Sequence, residues 1–421
     1  MHTKLTHAIT KTPFRRLVAG SFLFVLVWRV LLEAVNQLVS HTTIVIPYWP
    51  DYLQWVNAPA NAPPLGLGHW AHWDGYHFLG IILRGYHQVG LDGAHSETAF
   101  FPAFPTLVRV PSRLLHLDPV LVGLAINFAL SVVIAVALYK LALLMCERYL
   151  PKAKLDEHRL ARLSVLLFFL YPASFFLAAF YADALVVAGA TLAIYFALRQ
   201  RYVLSSISAF TVISAKTTGL VFVPTLLLIL LENERVRSWR ALCSWSLLRK
   251  AAVLMSGLVI GLGGYMLYLW KAFGDPLLFS HVEKLWGREN SIWFFKHLYS
   301  HYYAQLPHPA HFGNAYQYIA IVLIMALPFA VVGLALWYGV KFKAYWLPVL
   351  AFLTMFIPLL TGVMESLNRY TLIVSPLAVA LATALMYRKT RWWLIIPTLL
   401  LFAGLLCYFA GGFLIGGYFA G

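Results

Sequence analysis

Val120–Met145 reads VLVGLAINFALSVVIAVALYKLALLM, 26 residues whose single charge, Lys140, stands near the far end. About 20 apolar residues cross the hydrocarbon core of a bilayer, so this run predicts a transmembrane helix. Composition extends the reading to the rest of the chain. Of its 421 residues 61% are hydrophobic and only 11% charged, against about 25% charged in a soluble domain. The formal net charge of +16 would suggest nucleic acid in a soluble protein. Here Lys and Arg fall in short gaps between apolar runs, the pattern of basic residues retained on the cytoplasmic side of a membrane, so no nucleic-acid partner is implied. Cys146, Cys243 and Cys407 show neither pairing pattern nor metal-ligand spacing.

Working outward, an earlier span runs from about Leu17 to Val39 behind a basic lead of Lys4, Lys11, Arg15 and Arg16. No small-residue cleavage site follows it, so it reads as a retained span. Arg29 and Glu33, four apart on that helix, can pair within a bundle. Beyond Met145, two runs meet at Tyr181-Ala182-Asp183 after a kink expected at Pro172, and two shorter ones meet around Ala215–Gly219. Further spans fall near Ala251–Trp270, Ala315–Val340, Tyr345–Leu360, Leu372–Met386 and Trp392–Ile415. The pattern predicts an all-α polytopic membrane protein of about eleven spans, one embedded domain over residues 1–421. Two long polar segments interrupt it, 41–117 and 271–314. With the N-terminus cytoplasmic, 22 basic residues lie inside and nine outside, and that bias sets the orientation.

The first polar segment contains His69–Tyr86, HWAHWDGYHFLGIILRGY. Leu79, Ile82, Leu83 and Tyr86 recur at helical spacing, so the segment predicts an amphipathic helix with Asp74 at its start. Taken alone, Asp74 reads as a cap on the first turn; a general base at the water–lipid boundary is the sharper reading, compatible with the first and dependent on what else lies on that side of the membrane. Ten of the 16 acids fall on the outer side, some where an apolar bundle has no use for charge. Asp183 sits at a helix junction, Lys216 interrupts a hairpin of short spans, and Glu365 and Arg369 stand four apart in a brief turn. Each has a local reading as cap, snorkelling lysine or helical ion pair. Their common side with Asp74 predicts one outward-facing polar cavity. His69, His72, His77, His87 and His95 are dense, but their spacing matches no strong ligand pattern, and no metal site is assigned. With no phosphate-cradling glycine loop, an activated donor would arrive through the membrane plane.

Trp73-Asp74-Gly75 with Gly85-Tyr86, then Glu97-Thr98-Ala99-Phe100-Phe101-Pro102, resembles the PIG-V (GPI mannosyltransferase II) family. Tyr171–Leu185, Ala215–Leu220, Phe273–Phe279 (FGDPLLF), Trp286-Gly287-Arg288 and Asn368-Arg369-Tyr370 extend the likeness over nearly the whole chain. The resemblance implies the GT-C membrane glycosyltransferase fold and a hexosyltransferase moving mannose from a polyprenyl or dolichyl phosphate to a hydroxyl of a glycolipid or glycan. It implies Asp74 as catalytic acid-base residue of the first outer loop. Trp73, His77, Glu97, Asp183, Lys216, Arg288, Glu365 and Arg369 are then the substrate-binding set, with no required cofactor beyond the lipid-linked donor; the many acids leave a divalent metal open without requiring one. Lys216 stands where relatives usually carry Arg, and Asp183 where they often carry Glu. A compact ammonium thus replaces a planar fork. The membrane would be the plasma membrane of a bacterium or the endoplasmic reticulum of a eukaryote, with chemistry on the outer or lumenal face. Two alternatives stand beside this: a polyprenyl-phosphate-sugar enzyme acting on protein, and a transporter or flippase, although no internal repeat supports the latter.

Overall fold

The computed structural model describes residues 14–40, 64–86, 96–151, 155–236, 238–286, 288, 293, 296, 299, 315–361, 366–387 and 393–415. Among these the chain is helical throughout, with no strand. The helices are α1 (Phe14–Ser40), α2 (Asp74–Arg84), α3 (Ala103–Leu115), α4 (Pro119–Tyr149), α5 (Glu157–Leu170), α6 (Asp183–Leu198) and α7 (Tyr202–Ala215). They continue as α8 (Phe222–Asn233), α9 (Trp245–Phe273), α10 (Ala315–Phe342), α11 (Trp346–Leu359), α12 (Pro376–Met386) and α13 (Ile395–Leu414). Short turns of helix join several of them.

Each expected span coincides with a helix, and among the described residues five helices, α1, α4, α9, α10 and α13, are long and apolar enough to cross a membrane unaided. Leu367–Val374 and Pro376–Met386 form a sixth candidate, bent by 78°. The helices α5 to α8 and α11 are shorter. At about 1.5 Å per residue, the 16 residues of α6 reach about 24 Å, less than the roughly 30 Å hydrocarbon core. By length and composition alone, five or six crossings are met by the described helices.

Local chemistry sets the helix ends. Asp118 accepts the Leu121 N–H at 2.9 Å and Pro119 takes the first helical position, an orderly start for α4. Asp156 caps α5 in the same way. Pro172 does not kink a continuous helix. The residue before a proline avoids the helical region, so α5 stops at Leu170 and a short 3-10 turn, Ser174–Leu177, follows. The amphipathic helix in the first polar segment ends at Arg84, because Gly85 at φ 84° turns the chain. Tyr86 therefore leaves the expected stripe and packs instead with Phe101, Tyr265 and Leu269.

The core is built on α4 and α6, which pack on each other and on α1, α5, α7 and α8. Small residues allow the closest approaches, as they do where helices associate in lipid. A Cβ on Gly257 of α9 would collide with the backbone of Ser206 on α7, whose hydroxyl accepts the Gly257 N–H at 2.8 Å. A Cβ on Gly189 of α6 would meet Ser208 O and Val212 at 2.9 Å. On the other flank α1 grips the bundle through polar side chains: Trp28 Nε1 donates to Phe169 O at 2.8 Å and Arg29 Nη1 to Ala178 O at 2.8 Å. The predicted Arg29–Glu33 pair is present at 3.8 Å. Glu33 also accepts from Trp70 Nε1 at 3.1 Å, with the Arg29 guanidinium 4.3 Å above the Trp70 ring. One turn of α1 thus holds both the segment before Asp74 and the segment before Asp183.

Candidate active site

Two stretches far apart in sequence, 70–74 and 178–183, are stitched together. Phe180 N donates to Trp70 O at 2.8 Å. Asn127 Nδ2 of α4 donates to Ala179 O at 2.6 Å and to Tyr181 O at 2.9 Å. The buried Tyr181 hydroxyl donates to His72 O at 2.9 Å and accepts the Asp74 N–H at 3.2 Å. Tyr181 thereby sets where Asp74 begins its helix. Sequence reading treated it only as part of a helix junction, because the bond it makes is to a residue 107 positions away.

Trp73, just before Asp74, has φ 54°, a left-handed conformation costly for a bulky residue. It provides no side-chain cap, and the Asp74 carboxylate does not serve as one either. It accepts from Arg369 Nη1 at 2.7 Å. The capping reading of Asp74 therefore gives way to an ion pair, although an acid in a first turn is still favoured by the helix dipole. Arg369 lies on the short helix Leu367–Tyr370, which also follows a residue of positive φ, Ser366 at 64°. Its Nε lies 3.8 Å from Asp183 Oδ1, and Lys216 Nζ lies 3.3 Å from that same oxygen. Asp74, Arg369, Asp183 and Lys216 form a chain of alternating charge. Lys216 also sits 4.5 Å over the Tyr370 ring, and Arg288 Nη1 donates to the Tyr370 hydroxyl at 3.2 Å.

These groups line one cavity of about 350 Å³, whose wall includes Trp73, Asp74, Asp183, Lys216, Arg288 and Arg369. Glu283 completes it, 3.8 Å from Arg288. Glu283, one of the ten outer acids, has no role in the sequence reading. Its signal was the adjoining FGDPLLF and Trp286-Gly287-Arg288 motifs, which carry the chain back to the cavity. Three carboxylates thus face three cations. Electrostatics separate two of the acids. Burial would push Asp74 up, but Arg369, Lys216, the Arg369 hydrogen bond and His77 together hold it below the usual carboxylate range. Glu283 is pushed up, chiefly by burial, with the Asp74 charge adding and Arg288 and Lys216 opposing.

Two nominated residues lie off the wall. Glu97 is buried 3.7 Å from Arg84, behind the cavity rather than in it. His77 stacks on Phe100 with ring centres 4.7 Å apart. Of the other histidines, His69 meets Asn36 Oδ1 at 3.0 Å. His72 is wedged between the Tyr76 hydroxyl and Leu414 O and lowered to about 4 by burial and by His69, so it is neutral. Glu365 lies outside the described residues.

Residues 21–305, about two thirds of the chain, match the family model described as Mannosyltransferase (PIG-V). The chain belongs to the PIG-V mannosyltransferase family. No curated protein matches it. It is a hexosyltransferase enzyme built as a multi-pass membrane protein, and the transporter reading falls away. The match stops at residue 305, short of the nearly full-length likeness expected, so Asn368-Arg369-Tyr370 lies beyond it. In this mannosyltransferase the link between the matched segment and that motif is physical: the 2.7 Å bond from Arg369 to Asp74.

Proposed function

We propose that this mannosyltransferase moves mannose from a polyprenyl phosphate to a hydroxyl of a glycolipid or glycan, in one inverting displacement with Asp74 as general base. The acceptor oxygen attacks C1 of the sugar and its proton passes to Asp74. The C1–O bond to the phosphate breaks, and the polyprenyl phosphate leaves as an anion that needs no protonation. Arg369, Lys216 and Arg288 meet the charge developing on it. Asp183 and Glu283 orient those cations and sugar hydroxyls. No metal is needed for this scheme.

The observation that carries the reading is the juxtaposition of Asp74 with three cations in one cavity beside an apolar groove. That groove, about 330 Å³, runs between α5, α10, α12 and α13 and is lined by Leu167, Leu327, Val331 and Phe402. It meets the polar cavity at the short helix Leu367–Tyr370. Asn368 and Thr371 face the groove, and Arg369 and Tyr370 face the cavity. An isoprenoid tail in the groove would bring its phosphate to Arg369. The shortness of α6, α7 and α8 supports the same arrangement. Their ends carry Asp183 and Lys216, and in an eleven-span arrangement recess them toward the bilayer on its outer face.

Membranes containing the protein, supplied with labelled polyprenyl-phosphate mannose, are expected to form a labelled lipid-extractable or glycan product. Label appearing on protein would favour the protein-modifying alternative. Transfer from a soluble sugar nucleotide, with none from the lipid-linked donor, would sink the reading.

A further inference from the structure

A second pocket lies at the C-terminal end of α2, outside the polar cavity. It has a volume of about 240 Å³ and holds two guanidinium groups, Arg84 at the end of α2 and Arg109 on α3, beside Tyr86, Tyr268 and Thr106. The facing acid is Glu97, 3.7 Å from Arg84. Arg113, one turn from Arg109 on α3, adds a further positive charge; burial first and Arg113 second lower the Arg109 guanidinium from its usual range. The pocket is therefore net positive. It shares Tyr86, Pro102, Thr106 and Tyr268 with a groove of about 810 Å³ that runs between α3, α7 and α9. That groove is predominantly apolar, and Leu107, Phe210 and Ile260 on its walls are 40%, 42% and 62% exposed.

Helix α3 carries the pocket and is itself shaped for an interface. Leu107, Val110 and Leu114, spaced three and four apart, are exposed by 40%, 53% and 74%, while Arg109 and Arg113 flank them. A short helix with an exposed apolar stripe beside basic residues lies in the headgroup region of a bilayer. A small positive pocket at that level, continuous with an apolar groove below it, matches a phosphate bearing a hydrocarbon chain. A soluble anion would have no use for the groove.

We propose that Arg84, Arg109 and the groove between α7 and α9 form a binding site for an anionic membrane phospholipid, with its phosphate in the arginine pocket and one acyl chain in the groove. The site is independent of the assignment of Asp74. The groove reaches Leu185 and Ser214, two residues from Asp183 and Lys216, so a seated chain backs the wall of the active cavity.

Glycines supply the test. A Cβ on Gly264, which lines the groove, meets nothing within 4 Å, and neither does one on Gly263, which does not line it. Gly264→Leu therefore fills the groove without clashing with the protein, and Gly263→Leu is its control. Full-length protein in detergent would be titrated with phosphatidylglycerol or phosphatidylcholine and read by native mass spectrometry. The expected result is preferential retention of one phosphatidylglycerol. Arg109→Gln should weaken it about tenfold, as for loss of one charge-assisted hydrogen bond. Gly264→Leu should release it, and Gly263→Leu should behave as the parent. Equal retention of the two lipids, or unchanged retention by Gly264→Leu, would overturn the proposal. Displacement of the lipid by excess inorganic phosphate, with Gly264→Leu indifferent, would mark a small-anion site and overturn it equally.

Discussion

At Asp74 the carboxylate has two duties that substitution can separate. Removing its charge leaves the buried Arg369, 4% exposed, with the more distant Asp183 as its one carboxylate among the described residues. Breaking a buried pair from one side costs about 3–5 kcal/mol. Asp74→Asn is therefore expected to lower stability measurably, and the double variant Asp74→Asn/Arg369→Gln to regain part of it in thermal unfolding. Transfer should nonetheless fall by about 10²–10⁴ in the folded single variant, the usual worth of a general base. Near-parental transfer by that protein would remove Asp74 from the chemistry. A second prediction concerns pH. Asp74 is held below the ordinary carboxylate range, so it stays ionised into acid and the acid limb of kcat/KM should lie below that range. Arg369→Gln removes the strongest attraction and leaves burial, so the carboxyl should rise and the limb move to higher pH. A limb that stays put would show that another group controls it.

Among elements, the contact of α7 with α9 is the least tolerant of bulk, because Gly257 sits directly against the Ser206 backbone. Gly257→Leu should separate the helices and cost about 3 kcal/mol or more, at the upper end of overpacking. Gly263→Leu, farther along the same helix and facing open space, should cost nothing measurable by thermal unfolding in detergent. Equal behaviour of the two would mean that α9 shifts freely along α7. Since Lys216 follows the last residue of α7, a displaced α7 should also move the cation away from Asp183, and transfer should fall with stability. The same logic explains the strained Trp73. The ring closes the cavity wall while the backbone turns to present Asp74 to Arg369.

For the whole molecule the testable property is sidedness. Ser280, between α9 and the cavity-lining Glu283, and Leu117, before α4, are both exposed at the end of the bundle that carries the site. Cys243 is exposed near the opposite end. In sealed, right-side-out vesicles of a protein lacking Cys243, cysteines at 280 and 117 should label with an impermeant thiol reagent. Cys243 in the parent should label only after permeabilisation. Ser96 and Ser366 are buried and would report packing instead. Labelling of Cys243 from outside would invert the orientation and place base and donor on the cytoplasmic face.

Much of the fold was legible along the chain because lipid as solvent demands long apolar runs, and such runs are local: α1, α4, α9, α10 and α13 can be read directly. Basic residues in short gaps are local as well; the Gly85 stop is equally local, but the apolar spacing carries the helix past it to Tyr86. Asp183, Lys216 and Arg369 could be nominated because charge in an apolar setting needs a reason, Asp74 because it opens an amphipathic helix on the same side, and Arg288 because it belongs to a family-like motif. What they do with one another could not. The 2.7 Å bond from Arg369 to Asp74 spans 295 residues, and the Tyr181 hydroxyl that seats Asp74 spans 107. Glu97 and His77 carried the same signals as the cavity residues yet face Arg84 and Phe100. Whether a polar side chain reaches a shared cavity or a private partner depends on where helices α2, α6 and α7 end in space, and that is settled by how glycine and serine contacts let those helices approach.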